Sequence, residues 1–284
     1  MRSAIDVYVR LIGVQIRAQL QYPIPFMLEL FAATLITTLT FGSLALILQR
    51  FDNIGGWSLG EIAFLYGMVE TAFGLMDMLF SGFDPPYFGR QVRLGSFDQL
   101  LLRPLDITLQ IMGSRFIIRR LGRIIQGFVI LGVTLASADT LSGDILSVDT
   151  LSANIHWTLG KIAYLPVVLA SQVCFFGGLF VIGSTLTFWT VQSLEVINIF
   201  TYGGSEMMAY PMHIYREWMR RFFTFVIPAI FLNYYPALFF LDKADPFNLP
   251  PFAPFIAPLV GPSVLAAGLA FWRFGIRHYQ STGS

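Results

Sequence analysis

The chain has 284 residues, of which 55% are hydrophobic and only 12% are charged, and its formal net charge is +1. Soluble domains carry about 25% charged residues, so this composition excludes an ordinary soluble fold and indicates an integral membrane protein. The near-neutral charge gives no indication of nucleic-acid binding, and a single cysteine, Cys174, excludes an internal disulfide or a cysteine-rich metal site.

Residues 1–22 predict an amphipathic helix at the start of the chain. Polar or small residues recur at steps of three or four and share one helical face: Asp6, Arg10, Gly13, Arg17 and Gln21. Apolar residues occupy the other faces, which suits a helix lying in the interface between lipid and water, with packing against protein as the alternative. Pro23 and Pro25 then break the helix and turn the chain towards the bilayer.

Six stretches are apolar enough to cross a bilayer, which takes about 20 residues per helix. They are residues 24–48, 58–81, 114–136, 161–189, 221–241 and 254–273. The fifth stretch contains Pro228 and Pro236, so we expect a kinked helix whose neighbours satisfy the freed carbonyl groups. The sequence therefore predicts an all-α, polytopic membrane protein with six transmembrane helices.

The basic residues predict the orientation, because cytoplasmic loops are enriched in arginine and lysine. With six crossings and a cytoplasmic N-terminus, most basic residues fall on the cytoplasmic side, including Arg216, Arg220 and Arg221 before the fifth stretch. The outer side then keeps only Arg50, Lys161 and Lys243. Both termini are accordingly predicted to be cytoplasmic, and residues 137–160 to form an extracytoplasmic loop.

The sequence predicts no catalytic, cofactor or metal site in this chain. A P-loop needs a lysine followed by serine or threonine, and neither Lys161 nor Lys243 meets that condition. The three histidines, His156, His213 and His278, lie in separate segments and form no cluster typical of metal ligands.

Two carboxylates, Glu70 and Asp77, lie inside the second apolar stretch. Seven residues make nearly two helical turns, so both side chains share one face. Ionisable groups within a membrane usually face protein or water, because exposure to lipid costs a few kcal/mol. They either border a substrate path or subunit seam, or bond to Ser, Thr or Arg on a neighbouring helix.

The loop of residues 84–106, between the second and third stretches, carries the most distinctive motif. The pattern R-x-G-x-F-D-x-x-L-L-R-P fixes eight positions, the second leucine being Leu102. Seven of these residues are the predicted docking residues: Arg93, Gly95, Phe97, Asp98, Leu101, Arg103 and Pro104. A loop facing water has no physical need for Phe97 or for the leucines at 100–102. Exposed apolar residues framed by arginines therefore predict a docking surface for a partner protein.

This motif, followed by Gln110, resembles the cytoplasmic loop of ABC-2-type exporter permeases, in particular bacterial six-helix permeases encoded with a separate ATPase. The resemblance spans nearly the whole chain. Weaker matches are Gly56-Trp57, Tyr66-Gly67, Phe116, Arg120-Leu121-Gly122, Val226-Ile227-Pro228, Tyr234-Tyr235-Pro236 and the tail from Tyr279 to Ser284. Residues 139–155 of the outer loop match no pattern of that family.

The resemblance implies one transmembrane permease domain over residues 1–284, in the bacterial cytoplasmic (inner) membrane. Residues 84–106 would hold the coupling helix that docks on a cytosolic nucleotide-binding ATPase subunit, and residues 1–22 the interfacial helix. That subunit would bind ATP and Mg, so the chain itself would be no enzyme. A second permease, identical or paralogous, would complete an exporter that moves an amphipathic or lipid-like substrate by alternating access.

Two other classes of function stay open at this point. An ion-gradient-driven transporter or channel would use Glu70 and Asp77 as a relay, and a scaffold or membrane enzyme would transport nothing. A co-purifying ATPase would separate the permease from both alternatives.

Overall fold

The computed structural model describes residues 4–50, 53–135, 153, 155–190 and 197–280, and no β-strand occurs among them. Twelve α-helices are described: α1 (Ala4–Leu20), α2 (Pro23–Arg50), α3 (Leu59–Leu79), α4 (Pro85–Arg93), α5 (Ser96–Leu101), α6 (Ile107–Ser114), α7 (Leu121–Leu135), α8 (Leu159–Leu186), α9 (Gly204–Met208), α10 (Glu217–Phe225), α11 (Tyr234–Phe240) and α12 (Ala257–His278). The predicted all-α class is confirmed. The predicted outer loop 137–160 lies outside the described residues except for 153 and 155–160.

Within the described part of the chain, three single helices are long and apolar enough to cross a membrane: α3, α8 and α12. The central one, α3, begins at a capping box in which Ser58 and Glu61 each accept a backbone hydrogen bond from the other residue. It is buried along most of its length, as a helix surrounded by others must be.

The helices α8 and α12 run parallel and touch through small residues. Gly268 lies against the carbonyl group of Gly178, where an added Cβ would come within 2.8 Å of the oxygen. Nearer the start of both helices, the Ser171 hydroxyl donates to the carbonyl of Ala257 at 2.7 Å. Small side chains let membrane helices approach closely, and their van der Waals contact and hydrogen bonds stabilise the pair.

The helix α7 packs antiparallel to α3. Gly67, early in α3, meets Leu131 late in α7, whereas Gly74, late in α3, meets Ile124 early in α7. The glycines of α3 admit these larger side chains, so the two backbones come close. This contact places the arginines at the start of α7 beside the second half of α3.

The bundle has two ends, which are named after Trp57 and Phe97. At the Trp57 end, α3 and α8 begin, and the Lys161 ammonium donates to the carbonyl of Phe240 at 2.9 Å. At the Phe97 end, α8 and α12 finish beside α5, and the Phe97 ring lies 5.0 Å from that of Tyr279.

The predicted fifth stretch, residues 221–241, bends at a proline as expected, but it is not one continuous helix. The segment consists of two helical limbs bent by 76°, with Pro228 at the bend. Its entrance and exit lie at the same end: His213, just before α10, is 2.8 Å from the Gly55 carbonyl, and Phe240 closes α11 beside Lys161. The segment is therefore a re-entrant hairpin.

The depth of this hairpin follows from one hydrogen bond. Gln172, half-way along α8, donates through Nε2 to the carbonyl of Leu232 at 2.9 Å. The tip therefore reaches the middle of the bundle and turns back. A hydropathy window registers a sufficiently apolar stretch but carries no information about the direction of the chain.

Residues 197–213 run from one end of the bundle to the other, which the sequence had predicted for residues 221–241. We call residues 197–213 the passage. Ile197 lies beside Gly183 at the Phe97 end, and the Met208 carbonyl accepts from Asn233 farther along the bundle. His213 then reaches Gly55 at the Trp57 end. This passage therefore runs the length of α3, in the opposite direction.

The re-entrant hairpin also changes where the basic residues lie. The Arg220 guanidinium stands 4.6 Å above the Phe247 ring, in the loop that also carries Lys243. Arg220 and Lys243 are thus at the same end of the bundle, whereas the sequence had placed them on opposite sides of the membrane.

The first helix packs on protein through one face. Gln15 donates to the Ser114 carbonyl at 2.9 Å, and Gln19 accepts from the backbone of Ile118 at 3.1 Å. These glutamines satisfy backbone groups at the break between α6 and α7. Arg10 and Arg17 lie exposed on the other side of α1.

Candidate functional sites

The predicted docking loop, residues 84–106, is a short helical hairpin at the Phe97 end. We call it the docking loop. Between α4 and α5, Gly95 has φ +66°, a left-handed conformation that a residue with a Cβ adopts only at a cost. The Gln110 side chain donates to the carbonyls of Leu100 and Leu105, at 3.3 and 3.0 Å. Gln110, which the family resemblance had singled out, therefore holds the end of this loop against α6.

Phe97 lies inside the protein, not on its surface. Its exposed fraction is 0%, and its ring packs at 5.4 Å on Phe88 and at 6.2 Å on Trp272 of α12. The expectation that Phe97 is exposed is wrong, because residues far away in the sequence, such as Trp272 and Tyr279, cover its ring together with Phe88. Phe97 instead fixes α5 to the ends of α8 and α12.

The exposed residues around the hairpin are mainly leucines and arginines. Leu102 and Leu94 are 86% and 71% exposed, which is unusual for apolar side chains in a folded domain. We call the whole set the docking surface: Arg90, Arg93, Leu94, Leu101, Leu102, Arg103 and Leu105. Pro104 lies exposed among them.

Asp98 of the motif faces inwards, to the last residues of α12. Burial and the neighbouring Asp98 carboxylate raise the pKa of Tyr279 to about 12. Asp98 therefore belongs to the attachment of the loop, together with Phe97. Of the seven predicted docking residues, Phe97 is buried and Gly95 and Asp98 are half-buried. The other four are exposed: Arg93, Leu101, Arg103 and Pro104.

Glu70 and Asp77 are both buried and both paired with arginines of the segment that enters α7. Arg123 donates two hydrogen bonds to the Glu70 carboxylate, from Nε and from Nη2, and Nη2 lies 2.7 Å from Oε1. Arg120 lies 2.7 Å from the Asp77 carboxylate. A bidentate pair between planar groups is the strongest geometry available to a carboxylate and a guanidinium.

Two further pairs extend this row of ion pairs towards the Phe97 end. Arg115 donates to Asp84 at 3.0 Å, and Arg119 to Glu29 at 3.1 Å. The row joins α2, α3 and the start of α4 to the entrance of α7. All four arginines of the third apolar stretch, Arg115, Arg119, Arg120 and Arg123, therefore have a carboxylate partner.

One carboxylate near this row was not identified from the sequence. Glu206 of α9 lies 3.9 Å from Arg123 Nη2, and its side chain is 60% exposed. It was missed because residues 197–210 belong to none of the six apolar stretches found in the sequence. Its spacing with Ile199, Gly203 and Tyr210, at steps of four, three and four, is the signal that could have revealed it.

At the Trp57 end, His213 and Lys243 contact a two-residue turn, and we call this set of contacts the clasp. Gly55 and Gly56 have φ of +61° and +80°, and their carbonyls contact His213 and Lys243 at 2.8 and 3.0 Å. Lys243 also pairs with Glu61 at 2.9 Å. The clasp ties the entrance of α3 to both sides of the re-entrant hairpin, beside a cavity of about 300 Å³.

Comparison with known proteins gives one match. Residues 34–283 match the family described as ABC-2 family transporter protein. Comparisons with curated proteins and with solved structures give no match. The matched range contains the docking loop, the re-entrant hairpin and all of the ion-pair row except Glu29.

Proposed function

The chain belongs to the ABC-2 family of transporter proteins, and we propose on that basis that it is the transmembrane permease subunit of an ATP-binding cassette exporter. The observation that carries the proposal is the family match over residues 34–283, which includes a docking surface with exposed leucines. A permease of this kind needs a surface through which another chain can deliver mechanical work.

We propose six crossings of a bacterial cytoplasmic membrane. They are α2, α3, α7, α8, the passage containing residues 197–210, and α12. The directions of these elements support the proposal, since each runs opposite to the one before it in the chain. The proposed number of crossings equals the six predicted from the sequence. Residues 197–210 add one crossing that was not predicted, and residues 221–241, which turn back, remove one that was. Both termini then lie at the Phe97 end, in the cytoplasm.

The docking surface fits a cytosolic ATPase subunit with an apolar groove and an acidic rim. Leu94, Leu102 and Leu105 would enter the groove, where burial of apolar area stabilises the complex. Arg90, Arg93 and Arg103 would meet the rim, which favours the correct partner and speeds its association. The partner would supply ATP and Mg, and the permease itself needs no catalytic residue.

The mechanism follows from how the docking loop is attached. Closure of the ATPase subunits would push on α5, and the aromatic contacts of Phe97 would pass this movement to α8 and α12 as a rigid body. The clasp at the Trp57 end would open in the opposite phase. An amphipathic or lipid-like substrate would cross between this chain and a second permease.

Substituting Leu102 tests the proposal. Leu102→Asp should reduce the ATPase activity that co-purifies with the tagged permease at least tenfold, because it places a charge in the apolar groove. Leu102 is 86% exposed, so the fold itself should tolerate the change. Ala244→Asp, which adds the same charge at the Trp57 end, is the matched control and should keep that activity.

Two results would contradict the assignment. One is wild-type permease that purifies without any ATPase activity. The other is a Leu102→Asp permease that retains the full activity of the wild type.

A further inference from the structure

The part of the passage at residues 197–210 presents one open face, and that face carries a carboxylate. Most of its exposed or half-exposed residues follow the spacing of one side of a helix: Ile199, Tyr202, Gly203, Glu206 and Tyr210. Asn198 and Phe200, at the start of the passage, are half-exposed as well. Residues between them, such as Thr201 and Met207, are buried. The stripe is therefore a continuous surface rather than scattered exposure.

Glu206 lies at the middle of the membrane thickness in the proposed topology. Its carboxylate is 3.9 Å from Arg123, whose guanidinium is bound to Glu70. Glu70 stands near the centre of α3, with Leu59 at one end of that helix and Leu79 at the other. An ionised side chain at this depth cannot be left to the hydrocarbon, so the stripe faces water or protein.

Glu206 and its immediate surroundings carry more negative than positive charge. The guanidinium of Arg123 already makes a bidentate contact with Glu70 and also lies 4.5 Å above the Phe73 ring. The nearest approach of Arg123 to Glu206 is longer than a hydrogen bond. One guanidinium thus serves two carboxylates, and a further cation on the open face would balance them.

The surroundings favour an organic cation over a small hydrated ion. Ile199 is 64% exposed and supplies apolar contact, while Tyr202 and Tyr210 flank Glu206 on the same stripe. Aromatic rings attract cations through their faces, most strongly where water is excluded. Apolar surface, aromatic rings and one carboxylate together match the chemistry of an amphipathic cation.

We propose that Glu206 lines the translocation path and binds the positively charged group of an amphipathic organic cation. This inference rests on the proposed function, because it takes the open stripe as part of the path between two permeases. Arg123 and Glu70 hold the site in place, and the positive end of the substrate completes its charge balance.

Two probes of nearly equal size and opposite charge test the inference, namely tetraphenylphosphonium and tetraphenylborate. Binding to the full-length protein is measured in lipid nanodiscs, with empty nanodiscs subtracted. Glu206→Gln should weaken tetraphenylphosphonium binding at least tenfold and leave tetraphenylborate binding unchanged or stronger. Glu206→Asp should retain most of the affinity for the phosphonium. Glu217→Gln, at an exposed glutamate of α10, should affect neither probe.

Three outcomes would overturn the inference. They are wild-type protein that does not bind tetraphenylphosphonium, a Glu206→Gln protein that binds it as tightly as wild type, and an equal loss for both probes. The last outcome would assign Glu206 to a seam between two copies of the chain. The assay contains no ATPase, so its result is separate from the co-purification test of the proposed function.

Discussion

Glu70→Gln is expected to lower the free energy of unfolding by about 3–5 kcal/mol, because it leaves the Arg123 guanidinium buried without its bidentate partner. The Arg123 and Glu70 side chains are only 15% and 5% exposed, so water cannot replace the lost carboxylate. Reversible unfolding of the purified protein in detergent, followed by circular dichroism, measures the change.

The double variant Glu70→Gln/Arg123→Gln separates the contribution of the ion pair from the cost of burying Arg123 without Glu70. Removing both charges takes away the buried cation that had lost its bidentate partner, so most of the lost stability should return. Glu217→Gln is the control, since its ion pair with Arg221 is exposed and contributes at most about 0.5 kcal/mol. A single Glu70→Gln protein as stable as wild type, yet unable to transport, would instead support the substrate-path interpretation of Glu70.

Gly82→Ala is expected to destabilise the protein by about 3 kcal/mol. Gly82 follows α3 and crosses α6 so closely that an added Cβ would overlap the carbonyl oxygen of Ile111. A backbone atom cannot move aside as a flexible side chain can, so the whole crossing must shift. Thermal unfolding in detergent, with the same readout as above, measures the loss.

The matched control for this prediction is Gly132→Ala in α7. No heavy atom lies within 4 Å of a Cβ built at Gly132, and alanine favours the helix. Its stability should equal or slightly exceed that of wild type. Equal stability of both alanine variants would mean that the crossing at Gly82 is looser than the structure shows.

Continuous apolar runs were the most reliable guide in the sequence. The predicted stretches 58–81, 161–189 and 254–273 correspond to helices Leu59–Leu79, Leu159–Leu186 and Ala257–His278, with ends displaced by a few residues. Each of these runs is long, apolar and only weakly interrupted, so hydropathy alone locates it.

The part of the passage at 197–210 escaped prediction for a physical reason. Gly203, Gly204, Ser205 and Glu206 lower its hydropathy, although Gly204 and Ser205 are buried against neighbouring helices. The re-entrant hairpin has the opposite property, since it is apolar enough to cross but turns back at Pro228. Only contacts between distant segments, such as His213 with Gly55, distinguish the two cases.

The candidate sites show the same limit of sequence reasoning. The motif located the docking loop, and the shared face of Glu70 and Asp77 drew attention to α3. Exposure and pairing depend on residues far away in the chain, as with Phe97 beside Tyr279 and Glu70 beside Arg123. The sequence could therefore indicate which residues matter more readily than which of them face outwards.

Membrane sidedness of the docking loop and the hairpin tests the central claim most directly. Single cysteines replace Leu102 or Arg221 in a Cys174→Ser background, and a membrane-impermeant maleimide is applied to right-side-out and inside-out vesicles. The proposed topology predicts that the cysteine at 102 reacts only from the cytoplasmic face and the cysteine at 221 only from the opposite face. Labelling of both positions from the same face would contradict the re-entrant hairpin and the transporter topology built on it.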